Sequence, residues 1–161
     1  MQAIDKRAAY TLALADIRAV LADEKLIHLK MATINCILKT YLPYYFWVGF
    51  YLVHCQGLSL GAYQGSLGCL HIPFSKGVCG RAARTQQLQI VGDTHADPEH
   101  IACDAASLSE IVLPVFDYQQ HLIAVFDVDS SSLHSFDEID AHYLQLILHE
   151  QFAAAPLLYL Y

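Results

Sequence analysis

The side chains best suited to chemistry cluster between residues 99 and 129. Cys103 stands between His100 and Asp104 in a polar, turn-rich stretch, and Glu110 follows inside the apolar run SEIVLPVF. Asp127 and Asp129 recur two apart in VFDVD, so in a strand they share one face while Phe126 and Val128 take the other. Glu110 shares a face with Val112 by the same rule. Taken singly, a carboxylate at a strand end is more often a solvated loop cap than a catalyst. Burying an ionised one is costly unless it is paired, so three of them near one thiol call for a reason.

Two further thiols have similar settings. Cys69 lies in GSLGCLHI and Cys79 in KGVCG, both read as loop or turn positions where a side chain meets solvent and ligand. Cys79 also marks the start of a short helix, where backbone N–H groups favour a thiolate. Cys36, inside a helical pattern, and Cys55, at a strand end, are expected to be inert and packed as small apolar groups. Five cysteines with no C-x-x-C pair argue against a zinc site, and an odd number does not suggest a secreted disulfide framework. Trp47 and Tyr51 share a strand face with Gly49 and are either core filler or an aromatic ligand wall. Loop-borne thiols, carboxylates and an aromatic wall together suggest redox or nucleophilic chemistry on a small ligand.

The elements that must hold these groups follow from periodicity. The first forty residues are helical in pattern, with Ile34, Ile37, Leu38 and Tyr41 at helical spacing and Pro43 beyond the end. FWVGFYLVH and GLSLGAYQG read as a hairpin, KGVCGRAART as a short helix, QLQIV as a brief strand, and SEIVLPVF with HLIAVFDVD as a second hairpin across DYQQ. A last helix is expected to start at Ser135, with Glu138 completing a capping box and Phe136, Ile139, Tyr143, Leu146 and Ile147 as its apolar stripe. This order implies an α+β fold, with a central antiparallel sheet and the N- and C-terminal helices packed on it. The terminal helices' spare apolar surface makes a homodimer an option.

Composition narrows the function classes. The 161 residues suit a single domain spanning 1–161; they are 55% hydrophobic and only 16% charged, which is a globular composition. A formal charge of −7 argues against nucleic acid or an anionic membrane as the main partner. From Thr40 to Ser75 there is no Lys, Arg, Asp or Glu, yet the continuous apolar core, YYFWVGFYLV, is about half of the roughly 20 residues that a spanning helix needs. Asp5, Lys6, Arg7 and Asp16 interrupt the start, which argues against a signal peptide and for a cytoplasmic protein.

These motifs resemble one family closely. FWVGFY, YQG followed by Cys69, GVCG, HIACDAASLSEIVLP and VFDVDS are similar to the free methionine-(R)-sulfoxide reductases built on a single GAF domain, from about Trp47 to the final helix. The cysteine spacings, 79 − 69 = 10 and 103 − 79 = 24, match as well. The resemblance implies that Cys103 is the catalytic cysteine, Cys69 the resolving one and Cys79 an auxiliary partner in recycling. Free methionine sulfoxide would be the substrate and thioredoxin the reductant, with no metal or organic cofactor. Glu110 and Asp129 are then the candidates for protonating the sulfoxide oxygen, since carboxyl groups that crowd one another gain proton affinity. Asp127 would support them or bind the substrate ammonium, and Trp47 and Tyr51 would hold the S-methyl group. The chain departs from the family pattern at Phe46, Ser66, Glu99 and Ala124, all loop or shell positions. Two other readings use the same residues: a GAF sensor that binds a small molecule without chemistry, and a thiol redox sensor that switches through Cys69 and Cys103.

Overall fold

A computed structural model of the protein describes residues 5–55, 57–99, 101 and 104–159. Two helices open the chain, α1 (Lys6–Val20) and α2 (Ile27–Tyr41). The hairpin β1 (Trp47–His54) and β2 (Gly57–Gln64) follows, then a short β3 (His71–Pro73), α3 (Gly77–Thr85) and β4 (Gln89–Val91). A second hairpin, β5 (Ser109–Phe116) and β6 (Leu122–Ser130), leads into α4 (Glu138–Leu148) and a π-helical turn, His149–Ala153. Among the described residues, no helix is long and apolar enough to cross a membrane.

The strands form one antiparallel sheet in the order β3-β2-β1-β6-β5-β4. Strand alternation divides its side chains into two apolar clusters. Val48, Phe50, Ile111, Leu113, Phe126 and Val128 face α1, α2 and α4 in the larger cluster. Trp47, Tyr51, Val112 and Val125 face the other way, toward Val78 and Ala82 of α3. The sheet is therefore covered on both faces, as its apolar strands require. On α1 the buried residues Tyr10, Ala13, Leu14 and Ile17 recur at i, i+3, i+4 and i+7, the spacing of one helical face.

Three details differ from the sequence expectations. β3 pairs with β2 in a stretch read as loop; three residues are too few to show an alternation. The cap of α4 is Asp137, not Ser135. Asp137 accepts from the Ile139 N–H at 2.8 Å while Asp140 accepts from the Asp137 N–H at 2.8 Å, and Ser135 instead donates to Ser130 and to the Ser132 carbonyl within the preceding loop. Glu138 and Asp140 in the first turn also complement the helix dipole, and the Ser135–Glu138 reading starts the helix two residues too early. This register makes Ala141, Leu144, Ile147 and Leu148 the buried stripe and leaves Ile139, Tyr143 and Leu146 half-buried.

Asp140 does more than cap. It is fully buried and accepts from Lys6, from Tyr44 and, at 2.8 Å, from Tyr10, which joins α1, the α2–β1 connection and α4 at one carboxylate. Removing one partner from a buried, hydrogen-bonded charge leaves the others unpaired, which costs about 3 kcal/mol or more. Asp140→Ala is therefore expected to lower unfolding stability by about 3 kcal/mol, read from the urea midpoint at unchanged slope; a shift as small as that of an exposed-site substitution would refute this role.

Candidate active site

Strand register assembles the site. Trp47 pairs with Asp129 and Asp129 with Glu110, so one row across β1, β6 and β5 carries an indole and two carboxylates. The next row is Gly49, Asp127 and Val112. Side chains two apart point the same way, so both rows face the α3 side of the sheet. Trp47, Tyr51, Cys79, Glu110, Asp127 and Asp129 consequently line one cavity, with Phe46, Ser66 and Asp104 also in its wall.

The acids are not solvated strand-end caps. Glu110 and Asp127 are buried, Asp129 is half-buried, and oxygens of all three lie within 4.8 Å of one another. Burial first, then Asp129 and Asp97, holds the Glu110 carboxyl well above the usual carboxylate range, against the opposing pull of Arg81. Burial, then Asp129 and Glu110, does the same to Asp127. An all-oxygen set at this spacing suits a hard divalent cation. Protons held by Glu110 and Asp127 neutralise the same crowded charge. Asp127 Oδ1 is buried with no hydrogen-bond partner, an arrangement worth about 1–3 kcal/mol in lost hydration unless a proton or a ligand donor meets it.

The thiols fall into distinct environments. Cys79 lies in the first turn of α3, as its sequence suggested, but it is buried and does not meet solvent. Burial and the neighbouring Asp127 and Glu110 push its thiol pKa well up, outweighing any benefit of the helix start to a thiolate. Its Sγ donates to Asp127 Oδ2 at 3.2 Å. Cys36 and Cys55 are exposed rather than packed: Cys36 takes the outer side of α2, and Cys55 sits in the hairpin turn at a φ of 49°. Cys69 is half-exposed between β2 and β3 and is disulfide-bonded. Cys103 lies outside the described residues.

Aromatic residues support the Cys69 loop from below. Trp47 and Tyr51 stack with ring centroids 5.8 Å apart, and both are buried, so they are core and cavity wall at once. Trp47 Nε1 donates to the Ser66 carbonyl at 3.0 Å, and the Tyr51 hydroxyl is hydrogen-bonded to the Cys69 backbone. A Cβ on Gly65, whose φ is +138°, would come within 2.5 Å of the indole, and one on Gly68 within 2.9 Å of the Tyr51 hydroxyl. Both glycines let the loop lie directly on the rings.

Several contributors carry no sequence signal of their own. Buried Ser107 donates to Asp129, and Ser66 donates to Asp104. Arg81 holds Asp97 through two bonds, one of 2.7 Å, and Arg84 holds Glu99 at 2.6 Å, which ties the loop before residue 100 to α3. These partners are distant in sequence, and only the fold brings them together. Of the positions that depart from the family pattern, Phe46 and Ser66 line the cavity, Glu99 serves this ion-pair network, and Ala124 is buried on the opposite face.

Comparison with known proteins agrees with this architecture. Residues 43–150 match the GAF domain family. The free methionine-R-sulfoxide reductase of Escherichia coli is 38% identical over 133 residues, spanning 83% of this chain and 80% of that protein. A free methionine-R-sulfoxide reductase from Neisseria meningitidis, solved in complex with its substrate, superposes with a TM-score of 0.86 at 43% identity, covering 94% of this chain and 93% of that one. The reduced form of fRMsr from Staphylococcus aureus gives 0.85 at 38% identity, covering 89% and 92%.

The raised pKa of Glu110 sets a pH dependence. A carboxyl whose folded pKa is elevated binds its proton more tightly in the folded state, so its contribution is full below the unfolded value and is lost as pH rises through the folded one. Glu110→Gln should therefore gain on the wild type in urea midpoint as pH rises from about 4. A midpoint difference that stays constant between acid and neutral pH would contradict the assignment.

Proposed function

We propose that this chain, which belongs to the GAF-domain family of free methionine-R-sulfoxide reductases, reduces free L-methionine (R)-S-oxide to L-methionine in the cytoplasm. The observation that carries the reading is the cluster of proton-retaining carboxyls facing an aromatic wall, beside a loop whose cysteine is already disulfide-bonded. A sulfoxide sulfur becomes electrophilic only when its oxygen receives a proton or a strong hydrogen bond. Glu110 and Asp129 serve that need, with Glu110 the better donor because burial keeps it protonated. The buried Oδ1 of Asp127 supports a role in receiving the substrate ammonium. Trp47 and Tyr51 give the S-methyl group an apolar contact.

The thiol steps balance as follows. The Cys103 thiolate attacks the sulfoxide sulfur; the oxygen ends on Cys103 as a sulfenic acid, and methionine leaves with its sulfur reduced. The Cys69 thiol then attacks the sulfenic sulfur, forming a Cys69–Cys103 disulfide and releasing water. Thioredoxin reduces that disulfide by thiol exchange and becomes oxidised in its place. Cys79, buried against Asp127, is an auxiliary thiol on the cavity wall. No other cofactor is needed for this sequence of steps. An enclosed site that admits only the free amino acid would explain discrimination against methionine sulfoxide within a protein chain.

The deciding assay couples the purified protein to thioredoxin, thioredoxin reductase and NADPH, with separate R and S epimers of free methionine sulfoxide. NADPH consumption with the R epimer alone is the expected result. Silence with both epimers, in folded protein with reduced thiols, would favour the ligand-sensing or thiol-sensing alternatives. Cys103→Ser should abolish reduction, whereas Cys69→Ser should release about one equivalent of methionine and stall, as expected when the sulfenic acid has no resolving thiol. Unchanged steady turnover in Cys103→Ser would overturn the nucleophile assignment. Glu110→Gln should slow the single-turnover rate by about 100-fold, the usual scale of a general acid, with a smaller change in substrate affinity.

A further inference from the structure

We infer that the apolar collar around Cys69 is a docking surface for a protein dithiol of the thioredoxin class, an inference that takes its purpose from the reductase reading above. Leu67 and Leu70, on either side of Cys69, are 71% and 60% exposed. Other large apolar side chains are exposed elsewhere, Leu12 and Val20 among them, but Leu67 and Leu70 are a close pair that brackets a disulfide-bonded cysteine. Their exposure has a structural cause. Gly65 and Gly68 lie against Trp47 and Tyr51, and hydrogen bonds to both rings fix the backbone of Ser66 and Cys69. The loop's small residues therefore take the inner side; Leu67 stands at the cavity mouth while staying largely exposed, and Leu70 is left to the outer side.

The chemistry selects the occupant. Thiol–disulfide exchange requires the attacking sulfur to reach a disulfide sulfur, so a reductant attacking at Cys69 must rest on what flanks it. Glutathione carries two carboxylates and would need cations there. Between Thr40 and Ser75 the chain has no lysine or arginine, and Asp104, tied to Ser66, adds a negative charge beside the loop. A protein dithiol set in an apolar surface fits these flanks and would cover both leucines.

The test follows reduction of the disulfide itself, without methionine sulfoxide. Fully oxidised protein is mixed with reduced thioredoxin, and the second-order rate of thioredoxin oxidation is compared with the rate for dithiothreitol. Leu70→Ser should lower the thioredoxin rate relative to the dithiothreitol rate by about tenfold, the scale of one leucine's burial. Leu70→Met should restore it, and Leu12→Ser, at an equally exposed position on α1, should leave it unchanged. A thioredoxin-to-dithiothreitol ratio unaffected by Leu70→Ser overturns the inference, whether or not that variant also alters self-association. So does glutathione reducing the wild type as fast per thiol as thioredoxin. Absence of turnover with either epimer under dithiothreitol would instead refute the reductase reading, while the disulfide would still report on docking.

Discussion

Carboxylates this close together cannot all be ionised in a buried cavity, and much of the site follows from that constraint. Glu110, Asp127 and Asp129 lie within 4.8 Å of one another, and desolvation adds to their mutual repulsion. Protons retained at Glu110 and Asp127 relieve the strain. Burial above all keeps the Cys79 thiol protonated as well, and any negative charge that remains on the acids opposes a thiolate further. The cavity thus holds protons at its wall, and the proposed protonation of a sulfoxide oxygen draws on them.

The constraint is met by strand register and not by loops. One row of the sheet carries Trp47, Asp129 and Glu110, so the aromatic wall and two acids sit on rigid backbone. The half-exposed, disulfide-bonded Cys69 lies instead on a loop. The acids and the aromatic wall are thus placed on strands, and the disulfide-bonded cysteine on a loop. The glycines at 65 and 68 connect the two, since they let a loop lie flat on rings that belong to a strand.

Much of this was legible in the sequence because it depends on a period of two. The alternation puts Asp127 and Asp129 on one face of VFDVD, away from Phe126 and Val128, and Glu110 on the Val112 face of SEIVLP; strand register then joins the two faces. What periodicity could not reveal was burial at the ends of elements. Asp127 and Glu110 have the look of solvated caps until α3 covers them, and Cys79 has the look of an exposed thiol for the same reason. Cys36 errs in the opposite direction, because a helical pattern does not say which side of a small residue faces water. The Asp137–Asp140 cap overlaps the Ser135–Glu138 signal, and two overlapping capping signals cannot be ranked without the tertiary partners of Asp140.

The sheet's two faces also bear on how such a protein can diverge. The larger apolar cluster, under α1, α2 and α4, is built apart from the cavity and, among the described residues, shares no side chain with it. The fold's main source of stability is thereby insulated from its chemistry. Residues on the α3 face can be exchanged for others that suit a different small molecule while the helical side continues to hold the sheet. A lineage can in this way move between catalysis and ligand sensing by altering one side of a single sheet, with the folding problem already solved on the other.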